Sequence, residues 1–154
     1  MSITAAPPRM ERFIIAVADV AGFAKACDGL DDATTFALLD CFYRLVDRTI
    51  AAAGGTVVKF MGDSALMIFP TDAPRGVVDA LAQLRRQALL LWQDVGSTCD
   101  VHTKAHVGTV AYGPIGPDQR FDIIGRDVNC LFMLRGQGPE TLSAALLAEI
   151  EAAS

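Results

Sequence analysis

The sequence lacks the residues that several kinds of protein require. Its four cysteines form no CxxC pair and it has only two histidines, His102 and His106. This argues against a zinc site and favours free thiols in a reducing compartment. Lysine and arginine number 13 against 18 acidic residues, for a net charge of −5. That balance leaves no basic surplus for a nucleic-acid surface.

Long apolar runs are also missing. The apolar stretch at residues 13–18 is too short for the core of a signal peptide and is ended by Asp19. No uninterrupted run approaches the length of a membrane span, and Arg85 and Arg86 break the most apolar helical segment. We therefore expect a soluble cytoplasmic protein without a membrane span.

The length and composition fit one globular domain. A chain of 154 residues, 52% hydrophobic and 20% charged, is long enough to bury a proper core. Pro7 and Pro8 lie in a stretch of mixed small residues. Residues 1–11 are therefore expected to form a flexible leader, and residues 12–154 a single domain.

Two acidic residues stand at the ends of β-rich runs. Residues 13–18 predict a strand buried on both faces, and Asp19 follows them. The runs at 56–61 and 65–69 flank a turn that contains Gly62, Asp63 and Ser64, which predicts a β-hairpin with an acid at its tip. Aspartate is common in turns for its own reasons. Two carboxylates at the ends of adjacent strands can, however, share divalent metal ions.

The other segments predict an alternation of helices and strands. A helix opens at Asp31 and Asp32 and ends at Gly54, with an apolar stripe of core or dimer contacts at Phe36, Leu39, Tyr43, Val46 and Ile50. Further predicted elements are a helix after Pro74, strands at 101–111 and 120–124, and helices at 127–134 and 142–150. This order suits an α+β fold, a ferredoxin-like antiparallel sheet with helices packed on one face.

Three sequence blocks together resemble a known catalytic domain. They read VADVAGF at residues 17–23, GG at 54–55 with VKFMGD at 58–63, and FDIIGRDVN at 121–129. In order and spacing they are similar to the class III adenylate/guanylate cyclase catalytic domain. One such block would be weak support, but three in register are strong.

The resemblance implies a reaction and a metal requirement. In that reaction the ribose 3′-oxygen of ATP attacks its own α-phosphorus, which forms cyclic AMP and releases pyrophosphate. Asp19 and Asp63 match the family's two metal-binding aspartates, so together with Val20 they are assigned to two Mg²⁺ or Mn²⁺ ions. Such a transfer depends on positioning and charge neutralisation more than on covalent help from the protein.

The resemblance also implies how the nucleotide is read. Lys59 and Asp122 match the purine-reading positions and offer a donor and an acceptor that suit adenine. Asn129 matches the ribose-orienting asparagine, while Gly22 and Phe23 begin a turn or helix whose amides can face the triphosphate. In the family the metal acids and the base-reading residues come from opposite subunits. The resemblance therefore implies a homodimer with sites at the subunit interface.

Two departures from the family pattern lower the expected activity. Met133 occupies the position of an arginine that stabilises phosphate charge, and no lysine follows Lys104. Methionine donates no hydrogen bond, so weak turnover is expected unless Arg120 or Arg126 reaches the site.

The alternative function is that of a degenerate cyclase-like domain, acting as an ATP-binding or dimerising regulatory module. A diguanylate cyclase or polymerase-palm relative fits less well, because the turn at 61–64 has no adjacent acidic pair.

Overall fold

A computed structural model describes residues 7–154 of the chain. Its elements are β1 (Arg9–Ala21), α1 (Phe23–Cys27), α2 (Asp32–Ala52), β2 (Thr56–Met61), β3 (Ser64–Phe69), α3 (Pro74–Asp94), β4 (Asp100–Ile115), β5 (Arg120–Ile124), α4 (Arg126–Met133), β6 (Glu140–Leu142) and α5 (Ala144–Ala152). Residues 1–6 of the expected leader lie outside the described residues. Residues 9–11 of that leader belong to β1 and pair with β4.

The sheet has the strand order β2-β3-β1-β4-β5, and every pair along this path is antiparallel. The short strand β6 adds to β4 in parallel orientation, which the sequence did not predict. For this reason the last helix begins later than expected. Leu142 ends β6, and the Ser143 side chain caps α5 by accepting a hydrogen bond from the Leu146 amide.

Helices cover both faces of the sheet, not one face alone. Apolar residues of β1 alternate between two cores, with Ile14 in the core beneath α2, α3 and α5, and Ile15 in a smaller core beneath α4. The edge strands β2 and β5 meet through an ion pair between Lys59 and Asp122, so the sheet curls around the smaller core. The predicted α+β fold is confirmed. The expectation that helices cover one face alone did not place α4 on the opposite face.

Helix α2 buries a stripe that overlaps the predicted one at Val46 and Ile50 but not at its start. Its buried residues are Leu38, Phe42, Leu45, Val46, Thr49 and Ile50. Phe36 was expected on the packed face, but it is 75% exposed, and Leu39 and Tyr43 are only half-buried. The apolar residues of this helix allow more than one stripe with helical spacing. Periodicity alone therefore selected a stripe that is rotated from the buried face.

Both ends of α2 follow the sequence signals. The Thr34 amide donates to the Asp31 side chain across 2.7 Å, and this bond lowers the pKa of the Asp31 carboxyl. At the other end Gly54 has a φ of 80°, the left-handed conformation in which glycine usually ends a helix. Within residues 7–154, no helix is both long enough and apolar enough to cross a membrane.

Phe42 and Phe36 form a matched pair for testing this packing. The fully buried Phe42 ring lies 5.8 Å from the Trp92 ring between centroids, whereas Phe36 is mostly exposed. Phe42→Ala should lower the free energy of unfolding by about 3–5 kcal/mol because it leaves a cavity. Phe36→Ala should change it by about 0.5 kcal/mol or less. Urea denaturation measures both, and equal losses would contradict the packing described for α2.

Candidate active site

The end of β1 and the tip of the β2–β3 hairpin are joined by a backbone hydrogen bond. The Val20 amide donates to the Asp63 carbonyl across 3.1 Å, and Asp19 is the register partner of Ser64. Asp19 and Asp63 are both half-buried. The structure therefore brings together the two segments that hold the predicted metal-binding acids, although 44 positions separate them in sequence.

Neither acid forms an ion pair within residues 7–154. His102 is the register partner of Asp19, yet its Nε2 atom lies 4.0 Å from the Asp100 carboxylate instead. Two half-buried carboxylates without a cationic partner are costly to desolvate. Their all-oxygen donor set suits the hard cations Mg²⁺ and Mn²⁺, so these residues fit the predicted metals.

The hairpin tip is held from outside by α2. The Tyr43 hydroxyl donates to the Gly62 carbonyl, and the Tyr43 ring stacks on Phe60 with centroids 4.0 Å apart and planes inclined by 15°. Gly62 has a φ of 63°, which the tight turn requires and which glycine adopts without strain. Tyr43 thus positions the turn that contains Asp63. The sequence offered no signal for this role, since the stripe pattern marks Tyr43 only as a packing residue.

Gly22 and Phe23 lie directly after β1, as the sequence predicts for a phosphate-facing turn. Gly22 has a φ of 79° and precedes the short helix α1, whose start has no side-chain cap. The Phe23 ring packs edge-on against Trp92 with centroids 6.1 Å apart. The side chain of Phe23 is therefore committed to the core, and only its backbone amide is available to a ligand.

Lys59 and Asp122 are already paired. The Lys59 Nζ atom lies 2.9 Å from Asp122 Oδ2, and Asp122 Oδ1 accepts a hydrogen bond from the Ile123 amide. Lys59 is opposite Leu66, which is opposite Val17, so Lys59 lies on the sheet face that also contains Asp19. The two residues assigned to base reading are thus brought together, and Lys59 lies on the same face as the acid of β1.

The α4 region holds Asn129 and the unusual methionine. Asn129 is exposed in the first turns of α4, and Met133 is 77% exposed. Arg120 forms an ion pair with Asp118 at 3.6 Å, while Arg126 has no ion pair within the described part of the chain. Neither arginine forms an ion pair with Asp19 or Asp63 among residues 7–154.

Lys104 is a cation near the acids that sequence reasoning did not assign. It lies on β4 two residues from His102, the register partner of Asp19, so it is a diagonal neighbour of Asp19 on the same face. Such diagonal Cα atoms are about 7–8 Å apart in antiparallel sheets. Its Nζ atom also lies 3.5 Å from the Phe132 carbonyl near the end of α4. The location of Lys104 beside Asp19 follows only from the strand register, which the sequence does not reveal.

The proteins to which this chain is similar are described as nucleotide cyclases. No protein-family model matches the chain. A protein described as an adenylate cyclase from Anabaena cylindrica is 27% identical over 136 residues, which cover 81% of this chain and 27% of that protein. This chain thus spans about a quarter of the length of its curated relative.

Solved structures extend the comparison. A bacterial light-regulated adenylyl cyclase matches with a TM-score of 0.81 and 18% identity, over 97% of this chain and 47% of that one. The guanylate cyclase domain of RhGC from Catenaria anguillulae, in complex with GTP, matches with a TM-score of 0.84 and 15% identity, over 93% of this chain and 84% of that one. The resemblance seen in the three sequence blocks is confirmed at the level of the fold, which is that of class III cyclase catalytic domains.

Removing the Tyr43 hydroxyl tests how the hairpin tip is held. Tyr43→Phe keeps the stacking on Phe60 but deletes the bond to Gly62. We expect a loss of about 1 kcal/mol in the free energy of unfolding. We also expect faster hydrogen exchange at the Val20 amide, because its acceptor Asp63 lies in the loosened turn.

Tyr112→Phe is the matched control for that variant. It deletes a hydroxyl that donates to Glu11 across 2.9 Å, away from the hairpin. Exchange at Val20 should stay unchanged in this control. An equal acceleration in both variants, or none in Tyr43→Phe, would contradict the positioning role of Tyr43.

Proposed function

We propose that the chain is the catalytic domain of an adenylate cyclase, which converts ATP to cyclic AMP and pyrophosphate. The observation that supports this most is that two pairs of assigned residues come together from separate segments. The bond between Val20 and Asp63 unites the two acid-bearing segments, and Lys59, paired with Asp122, lies on the sheet face of Asp19. Neither pair alone would distinguish a cyclase from an ordinary domain with turn acids and a surface ion pair.

Asp19, Asp63 and Val20 would hold two Mg²⁺ or Mn²⁺ ions. When bound, such ions lower the pKa of an attacking hydroxyl and neutralise charge on the phosphates. The acids contribute negative oxygen ligands that are half-buried and form no ion pair among residues 7–154. The Val20–Asp63 bond keeps the two segments in a fixed relation, so little reorganisation is needed before a nucleotide binds.

The other site residues bind and orient the nucleotide. Lys59 donates to a ring nitrogen of adenine while Asp122 accepts from its amino group, and their mutual ion pair holds both side chains ready beforehand. Asn129 orients the ribose from α4. The backbone amides at Gly22 and Phe23 face the triphosphate. The donor and acceptor pattern at Lys59 and Asp122 is the reason for proposing ATP and not GTP.

The site is least able to stabilise the negative charge that develops on the phosphates. Met133 offers no hydrogen bond, and the loss of a comparable charge-stabilising contact costs on the order of 3 kcal/mol of barrier, or about 100-fold in rate. Lys104, a diagonal neighbour of Asp19 in the strand register, is the cation that we propose supplies part of the missing charge. We therefore propose slow turnover, supported by Lys104.

A second copy of the chain would complete the site. Apolar side chains are exposed along the β4–β5 hairpin and α4, namely Ile115, Phe121, Ile124, Phe132 and Met133. Such side chains clustered on adjacent elements are typical of association surfaces. A symmetric homodimer would bring the acids of one copy to the base-reading pair of the other.

The free thiols of all four cysteines agree with a location in the cytoplasm, where ATP is available.

A regulatory module is the second candidate, and the methionine at position 133 favours it. A domain that keeps the acids and the Lys59–Asp122 pair but lacks the arginine can still bind ATP and dimerise. In that case the chain would regulate a larger assembly without producing a cyclic nucleotide.

Product formation separates the two candidates. The purified chain with ATP and Mn²⁺ should form cyclic AMP, and more of it than of any cyclic product from GTP, CTP or UTP. Asp63→Asn should reduce the rate by about 100-fold or more, since it removes a charged metal ligand. Asp94→Asn, at an exposed site at the end of α3, is the matched control and should leave the rate unchanged.

Three outcomes decide between the candidates. Cyclic AMP that depends on Asp63 supports the cyclase. Product formed equally well by Asp63→Asn would contradict the assigned site. No product from any nucleotide at high protein concentration, with ATP still raising the melting temperature, would support the regulatory module, because a ligand that binds only the native state stabilises it.

A further inference from the structure

A second cluster of ligand-bearing side chains lies outside the proposed nucleotide site. His106 on β4 meets Asp127 and Cys130 on α4, and one nitrogen, one oxygen and one sulfur atom of these residues all lie within 4.8 Å of one another. Asp127 and Cys130 are three positions apart, so they share one face of the helix. Asn129 is two positions from Asp127, about 200° around the helix, and points elsewhere.

Each buried ligand is oriented by a further contact. The His106 Nδ1 atom lies 2.8 Å from the Ser143 hydroxyl, and its Nε2 atom lies 2.8 Å from Asp127 Oδ1. Asp127 Oδ2 accepts a hydrogen bond from the Thr109 amide across 3.1 Å. Partners of this kind fix the ring orientation of metal-binding histidines and hold metal-binding carboxylates.

Gly108 makes room for the carboxylate. A Cβ atom at this position would lie 2.1 Å from Asp127 Cγ, which no folded protein tolerates. The absence of a side chain at Gly108 is thus a requirement for the present location of Asp127. His106 is nearly buried, with 12% of its side chain exposed, whereas Cys130 is exposed and leaves one side of the cluster open to solvent.

The ligand chemistry selects a class of ion. One imidazole, one carboxylate and one thiolate suit a borderline-soft divalent ion such as Zn²⁺, and they do not suit Mg²⁺, which prefers oxygen ligands. Three protein ligands with an open side match a tetrahedral zinc site whose fourth position holds water. We propose that His106, Asp127 and Cys130 bind one Zn²⁺ ion.

The proton balance of this binding is simple. Zn²⁺ takes the place of the proton between His106 Nε2 and Asp127, and the bound imidazole is the neutral tautomer whose one proton is on Nδ1 and is donated to the Ser143 hydroxyl. A ring that is neutral before binding moves its proton from Nε2 to Nδ1, and an imidazolium releases its Nε2 proton to solvent. The Cys130 thiol loses its proton to solvent, because only the thiolate binds the metal. The sequence argued against zinc because the cysteines form no CxxC pair. The fold instead supplies the helical spacing of Asp127 and Cys130 and places β4 beneath them.

Cobalt provides a spectroscopic test on the full chain. Under anaerobic reducing conditions, Co²⁺ should give a thiolate-to-metal charge-transfer band and the visible absorption of a tetrahedral site, and Zn²⁺ should displace it. Cys130→Ser should abolish the charge-transfer band. Asp127→Asn, which can still accept from the Thr109 amide, should weaken Zn²⁺ binding more than about tenfold. Cys41→Ser is the matched control, since Cys41 is also exposed but lies on α2, and it should change nothing.

A second measurement does not depend on the visible absorption of a bound metal. Zn²⁺ should slow alkylation of Cys130 more than about tenfold while Cys41 in the same molecule reacts at an unchanged rate, because a metal-bound thiolate is shielded. Asp63→Asn should bind Zn²⁺ as tightly as the unchanged chain, which separates this site from the catalytic acids. The proposal is wrong if the charge-transfer band persists in Cys130→Ser, if no such band forms at all, or if Zn²⁺ protects both cysteines equally.

Discussion

The bond from the Val20 amide to the Asp63 carbonyl is the contact on which the candidate site depends. It joins the central strand of the sheet to the tip of a hairpin that comes later in sequence. Backbone bonds of this kind tolerate almost any side chain, so the two acids are free to serve a ligand without also holding the fold together. The Tyr43 hydroxyl secures the same turn from the helical side. Asp63 is therefore located by main-chain and aromatic contacts, and its carboxylate takes no part in them.

The sequence predicted much of this fold because several signals are local. The hairpin around Gly62, the cap at Asp31 and the strand at 120–124 all follow from turn chemistry and strand patterns. Three kinds of information were not local. The buried face of α2 was predicted only in part, since the stripe included the exposed Phe36 and omitted the buried Leu38. Strand β6 has three residues, too few for a pattern, and the role of Lys104 follows only from register.

The candidate site was predictable to the extent that it rests on motifs. Asp19, Lys59, Asp63 and Asp122 were assigned by resemblance, and the structure joins the segments of Asp19 and Asp63 and pairs Lys59 with Asp122. Tyr43 was assigned only to packing and His106 was assigned no role, because their partners at Gly62 and Asp127 are 19 and 21 positions away. Contacts at such separations are created by the fold, and a pattern along the chain does not show them.

The central claim is that the acids of one copy act on a nucleotide read by Lys59 and Asp122 of another copy. Mixing two inactive variants, Asp63→Ala and Lys59→Ala, tests this most directly. After the subunits have exchanged, half of the dimers should contain one of each variant, and each mixed dimer should have one intact site out of two. Cyclic AMP production should then recover to about a quarter of the unchanged protein's rate. No recovery, with subunit exchange demonstrated and each variant folded, would contradict a site divided between two copies.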